Sequence, residues 1–156
     1  MARLHLTYRE DAFPPAMIDL TKRFMELKPW KSKTPIATFN LWTHGAVLCF
    51  DLPEVDCVFK RHPAGIGNYV KATDDGVAII ELHKPSMISL FHQFRHHMQA
   101  NAEYHYTSDQ QTGQDAQAWA ASLYYVVDPV RFRRAVRNDL IAGINAGDLL
   151  KKRSKR

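Results

Sequence analysis

The segment VAIIELHKPSMISLFHQFRHHMQ, residues 77–99, changes its period half way along. As far as Leu82 it is apolar and β-branched. The turn pair Asp75-Gly76 precedes it, so Val77–Leu82 reads as the second arm of a hairpin. After Pro85 the apolar residues Met87, Leu90, Phe91, Phe94 and Met98 recur three and four apart, the spacing of one broad helical face. Ser86 or Ser89 can cap that helix, because a serine oxygen accepts from a backbone N–H that the first turn leaves without a partner.

Reading outward, Asn101 to Gly113 is polar and turn-like, and Asp115–Tyr125 is a second helix with Ala116, Trp119, Ala120 and Leu123 on its apolar side. Pro129 interrupts the pattern, and Val130 to Ala146 reads as one or two further helices. Upstream, Ile36–Thr43, Ala46–Asp51, Val55–Arg61 and Tyr69–Ala72 join Val77–Leu82 as β-branched or aromatic runs. Gly45, Pro53, Pro63-Ala64-Gly65 and Asp74-Asp75-Gly76 punctuate them. Turns this short favour antiparallel neighbours. Residues 4–8 alternate as a short strand would. Pro14 and Pro15 open a helix carrying Met17, Leu20, Phe24 and Leu27, which Pro29 ends. The expectation is an α+β fold. An N-terminal helix and a small, mostly antiparallel sheet precede the histidine-bearing helix and the C-terminal helices.

The chain of 156 residues is 46% hydrophobic and 24% charged, which fits one globular domain and excludes wholesale disorder. No apolar run is long enough for a membrane span, and the first residues lack the apolar core of a signal peptide, so a cytoplasmic protein without membrane contact is expected. Cys49 and Cys57 are too few for a disulfide framework and read as reduced, buried thiols. The charge of +5 resides in a tail, 151–156, that follows a domain spanning 1–150. Without Lys151, Lys152, Arg153, Lys155 and Arg156, the cations equal the 16 Asp and Glu residues. That tail could contact nucleic acid through phosphates or simply be solvated.

Five of the eight histidines fall between His83 and His105. His92 and His96 stand four apart on the expected helix, so their imidazoles can converge on one point, as a zinc ion requires. His97 points about 100° away from them. The order of strand, histidine helix, polar loop and second helix resembles the zincin metallopeptidases over about residues 77–125. In that group a helix bearing HExxH follows an edge strand, and a second helix adds an acidic ligand. The resemblance implies a zinc triad of His92, His96 and Asp115, with Asp115, Ala116 and Trp119 matching the second-helix pattern. Glu103, His105 and Asp109 are alternative third ligands, and Asp115 alone would read as a helix cap.

Position 93 departs from the pattern. The family's general base is Glu, whereas this chain has Gln93, which can hydrogen-bond water but takes no proton at neutral pH. The resemblance therefore implies a zinc-binding domain with little or no hydrolysis. Such a chain is a pseudoenzyme, an enzyme inactivated by substitution, or one whose base is Glu81, Glu103 or His97. Glu81, on the strand before the helix, could contact an extended peptide or protein substrate. Asp109, Asp128 and Glu103 could support the metal-bound imidazoles from behind, and Arg95 and Gln99 could line the cleft. Tyr104, Tyr106, Tyr124 and Tyr125 could donate to an oxyanion or pack in the core. The rival function is a non-enzymatic accessory protein, associated with nucleic acid through the tail, in which the histidine helix is structural.

Overall fold

Why α3, Met87–Ala100, forms is plain from its sides. Met87, Leu90, Phe91, Phe94 and Met98 are buried, as their spacing predicts, and Ser86 caps the first turn by accepting from Ser89 N–H. The computed structural model describes residues 8–60, 67–72, 76–101 and 109–137, the side chains of 109, 110, 136 and 137 excepted. Around α3 lie α1 (Pro15–Glu26), α2 (Pro35–Cys49), α4 (Asp109–Val127), α5 (Pro129–Arg137) and strands β1 (Val55–Phe59), β2 (Asn68–Val70) and β3 (Ala78–Leu82). The expected strand at 4–8 and the basic tail lie outside the described residues, apart from Tyr8, which is not in a strand.

The α+β class holds, with two corrections. Residues 36–43 and 46–51, expected as strands, form α2 and the turn after it. Its β-branched and aromatic composition mimics strands. The helix is apolar all round: Thr38, Phe39, Trp42, Thr43, Ala46 and Val47 are buried while Leu41 and Leu48 stay exposed. No polar face gives away a period of 3.6. Gly45 is no turn. A Cβ there would lie 2.9 Å from Leu20 Cδ1, so glycine lets α1 and α2 approach closely. The helix ends at Cys49, capped by Phe50; Asp51 follows with a left-handed φ of 51°, and Leu52 N–H bonds to Val47 O at 2.9 Å.

The second correction concerns the sheet. It is mixed, in the order β1–β3–β2. The pair β2–β3 is antiparallel, with Tyr69 opposite Ile80, as the hairpin signal implies. The pair β1–β3 is parallel, from Val55 opposite Ala78 to Phe59 opposite Leu82. Because β2 reverses the chain between them, β1 and β3 run the same way although consecutive strands are close in sequence. Two smaller readings also shift. Helix α4 starts at Asp109, inside the stretch expected to be loop, and Cys49 is half-buried while Cys57 is buried, both thiols being free.

Aromatic packing joins the layers. Trp42 is fully buried, its ring centroid 5.0 Å from Phe91 and 5.1 Å from Phe94. Its indole N–H donates to Thr21 Oγ1 at 3.0 Å, and that hydroxyl donates to Met17 O at 2.7 Å. A buried indole needs such a partner. On the other side of α3, buried His97 ties the helix to the sheet. Its Nε2 donates to Pro53 O, and its Nδ1 accepts from Tyr69 O–H, both at 2.7 Å.

The outer edge of β1 is closed by a side chain. Asn40 of α2 accepts from Cys57 N–H and donates to Cys57 O, both at 2.8 Å, as a neighbouring strand would. Asn40→Ala leaves that buried donor and acceptor without partners and is expected to lower stability by about 2 kcal/mol. Asn40→Asp, which turns an oxygen towards Cys57 O, is expected to cost at least as much. Urea midpoints of the three proteins measure this; unchanged midpoints would show that water serves the edge equally well.

Candidate functional site

The residues of α3 that face α4 are polar. His92, Arg95, His96 and Gln99 follow the i, i+3, i+4, i+7 spacing of one stripe, and Thr112, Asp115 and Gln117 of α4 meet them. The apolar stripe that builds the core adjoins this one on the same helix. A polar seam thus runs between two helices that are otherwise packed through Phe94 and Trp119.

The structure brings His92 and His96 together. Their rings meet nearly edge to face, with centroids 4.8 Å apart, and their Nε2 atoms are separated by 3.2 Å. Each Nδ1 faces the amide oxygen of a glutamine: His92 that of Gln117 at 2.8 Å, His96 that of Gln99 at 2.7 Å. A carbonyl oxygen only accepts, so each Nδ1 carries a proton and donates it. In two neutral rings each Nε2 then holds a lone pair. Two lone pairs pointing at each other repel unless a proton or a cation stands between them. Two nitrogens bound about 2.0–2.1 Å from a tetrahedral zinc ion would lie about 3.3 Å apart, which this separation matches. The residues present therefore fit two positions of a zinc site.

The contacts seen for Asp115 among the described residues are to other side chains. It lies within α4 and caps no helix. Its Oδ2 accepts from Arg95 Nε and from Gln99 Nε2, each at 2.9 Å, and its Oδ1 accepts from Tyr8 O–H. Arg95 is 6% exposed, lies against the rings of Tyr8 and Trp119, and also donates from Nη2 to the Tyr8 phenol oxygen, Oη, at 3.2 Å. Among the described residues no group of three or more His, Cys, Asp or Glu side chains is arranged to hold a metal. Glu103, His105, Tyr104 and Tyr106, and the side chain of Asp109, lie outside the described residues.

The remaining candidates are dispersed. Gln93 is buried against the sheet. A Cβ built on Gly67 would lie 3.2 Å from Gln93 Nε2 and 3.0 Å from Glu81 O, and Gln93 makes no hydrogen bond among the described residues. Glu81 pairs with Lys60 at 3.3 Å and accepts from Asn68, and its strand β3 is the middle one, paired on both sides, rather than the edge strand expected. His97 is engaged by Pro53 and Tyr69. Asp128 caps α5 by accepting from Arg131 N–H at 3.1 Å. Tyr124 packs on Phe91 and Phe132, where burial pushes its phenol up to about 12, and Tyr125 packs on Phe132. Gln117 belongs to no motif and escapes a reading of the sequence, although it stands two residues beyond Asp115.

Burial, and then the neighbouring His96, hold His92 down to about 4, against the Gln117 hydrogen bond. The folded state thus prefers neutral imidazole, and the unfolded chain binds the extra proton below the ordinary value of 6.5. Stability is therefore full above pH 6.5 and is lost as the pH falls towards 4, by on the order of 3 kcal/mol from this residue. Burial lowers His97 also, which adds to the slope in the same direction. Urea unfolding of metal-free protein between pH 7.5 and 4.5 should show this loss, and His92→Gln should flatten it; parallel profiles would mean that His92 is solvated. No protein family, curated protein or solved structure matches this chain, so its chemistry is read from these side chains alone.

Proposed function

We propose that the chain is a zincin-like zinc-binding domain in which His92 and His96 are two of the ligands and Gln93 occupies the place of the general base. One observation carries the reading: two imidazoles face each other through Nε2 at 3.2 Å while both Nδ1 atoms are taken by glutamine oxygens. Neutral imidazole nitrogen is a good zinc donor, and burial keeps the His92 ring neutral near pH 7. When bound, the ion supplies a Lewis acid that polarises a carbonyl or a water molecule.

The chain's own groups determine the rest of the chemistry. His92 and His96 present fixed lone pairs, and their glutamine partners restrain ring rotation. Gln93 offers one acceptor and two donors but takes up no proton, so proton transfer to a leaving amine lacks a carrier at this position. Its amide, with no partner among the described residues, has both its donors and its acceptor free for a peptide group. The reading is thus of a domain that holds a metal and a peptide or protein ligand and hydrolyses it poorly.

Competition against a chromophoric zinc chelator tests the metal. One equivalent is expected to bind, and His92→Ala and His96→Ala are each expected to weaken binding by about 100-fold or more, beyond the 10- to 100-fold typical of outer partners. Zinc at about 100 times its Kd should also raise the unfolding free energy by about 2.7 kcal/mol. Equal binding by all three proteins, or none, overturns the proposal. Gln93→Glu restores a base, and zinc-loaded protein of that form is expected to cleave a broad peptide pool about 10²- to 10⁴-fold faster than the Gln93 form. Equal rates would assign position 93 no part in proton transfer.

A further inference from the structure

We infer that Asp115 is a positioning residue that acts through Gln99 to fix which nitrogen of His96 carries the proton, and so aims the His96 Nε2 lone pair at His92. A chain of hydrogen bonds transmits the effect. The Arg95 guanidinium is buried and needs a counter-charge, which the Asp115 carboxylate supplies at 2.9 Å. Tyr8 occupies the other carboxylate oxygen, so the group is held from two sides. Gln99 Nε2 then donates one hydrogen to Asp115 Oδ2 at 2.9 Å and the other to Thr112 O at 3.0 Å.

Both of those partners are acceptors only. Were the Gln99 amide turned over, its oxygen would face a carboxylate and a carbonyl, two repulsive contacts. The amide has therefore one tolerable orientation, with Oε1 towards His96 Nδ1 at 2.7 Å. That oxygen needs a donor, and the Nδ1–H tautomer of His96 is the neutral form that provides it. The lone pair is left on Nε2, which lies 3.2 Å from His92 Nε2. Fixing a tautomer through the far ring nitrogen is a known way of raising metal affinity. Here a carboxylate achieves it one residue removed, by holding the amide that holds the ring.

Long-range ¹H–¹⁵N spectra of metal-free protein at pH 8 read the tautomer directly. The unchanged chain is expected to show His96 as Nδ1–H. Gln99→Leu should give a mixture or the Nε2–H form. The same change is expected in Arg95→Leu/Asp115→Leu, which removes charge and counter-charge together, an exchange that packed cores commonly tolerate. Zinc affinity should fall about 10- to 100-fold in each. Adding Gln99→Leu to the double variant should cause no further loss, whereas independent structural damage would add. His96 found as Nε2–H in the unchanged chain, or as Nδ1–H throughout, or additive losses of affinity, would each overturn the inference. Should either variant fail to fold, the spectrum of the unchanged chain and of the other variant still decide it. The affinity arm rests on His92 and His96 being ligands, but the spectra do not: no zinc binding, with a tautomer that changes in both the Gln99 variant and the Arg95/Asp115 variant, would sink the metal reading and leave the role of Asp115 intact.

Discussion

A guanidinium buried between two helices has to be neutralised, and much of the α3–α4 interface derives from that demand. Arg95 is 6% exposed and lies against two aromatic rings, so the alternative to pairing is an isolated charge in a low-dielectric setting. Meeting it fixes the Asp115 carboxylate and brings in Tyr8 from the N-terminal segment. A pair of this kind is weak evidence for net stability, since hydrophobic residues of similar volume could fill the space. What the ion pair gives instead is direction. It leaves one tolerable orientation for the Gln99 amide that faces His96.

The legibility of the sequence varies with how amphipathic each segment is. Helix α3 is readable because Leu90, Phe91, Phe94 and Met98 form one apolar face and Ser86 caps it. Ala116, Trp119, Ala120 and Leu123 in α4 are buried as their spacing implies. Helix α2 is not readable, because Leu41 and Leu48 face solvent and remove the contrast between its faces. Thr34-Pro35, which opens it, is the available start signal. The hairpin of β2 and β3 is announced by Asp75-Gly76. The parallel partnership of β1 with β3 has no local sign, because it depends on β3 inserting between β1 and β2 in the sheet.

The candidate site divides along the same line. The i, i+4 relation of His92 and His96 is a property of any helix, and their convergence stems from it. The surroundings of Asp115 are a property of tertiary packing, which puts Arg95 of α3 against it together with Tyr8, from an N-terminal segment that no motif links to either helix. Gln99 and Gln117 illustrate the difference. One sits on the same stripe as the histidines and is visible by spacing, while the other reaches His92 only once α4 is docked.

Asn40 presents to Cys57 the same donor and acceptor that one residue of an adjoining strand would present. The sheet therefore terminates on that side in an amide that belongs to a helix and cannot be displaced without unlocking α2. Lateral growth by a foreign β-segment is obstructed there by the protein's own side chain, so among the described residues the other rim of the sheet is the three-residue strand β2, Asn68–Val70.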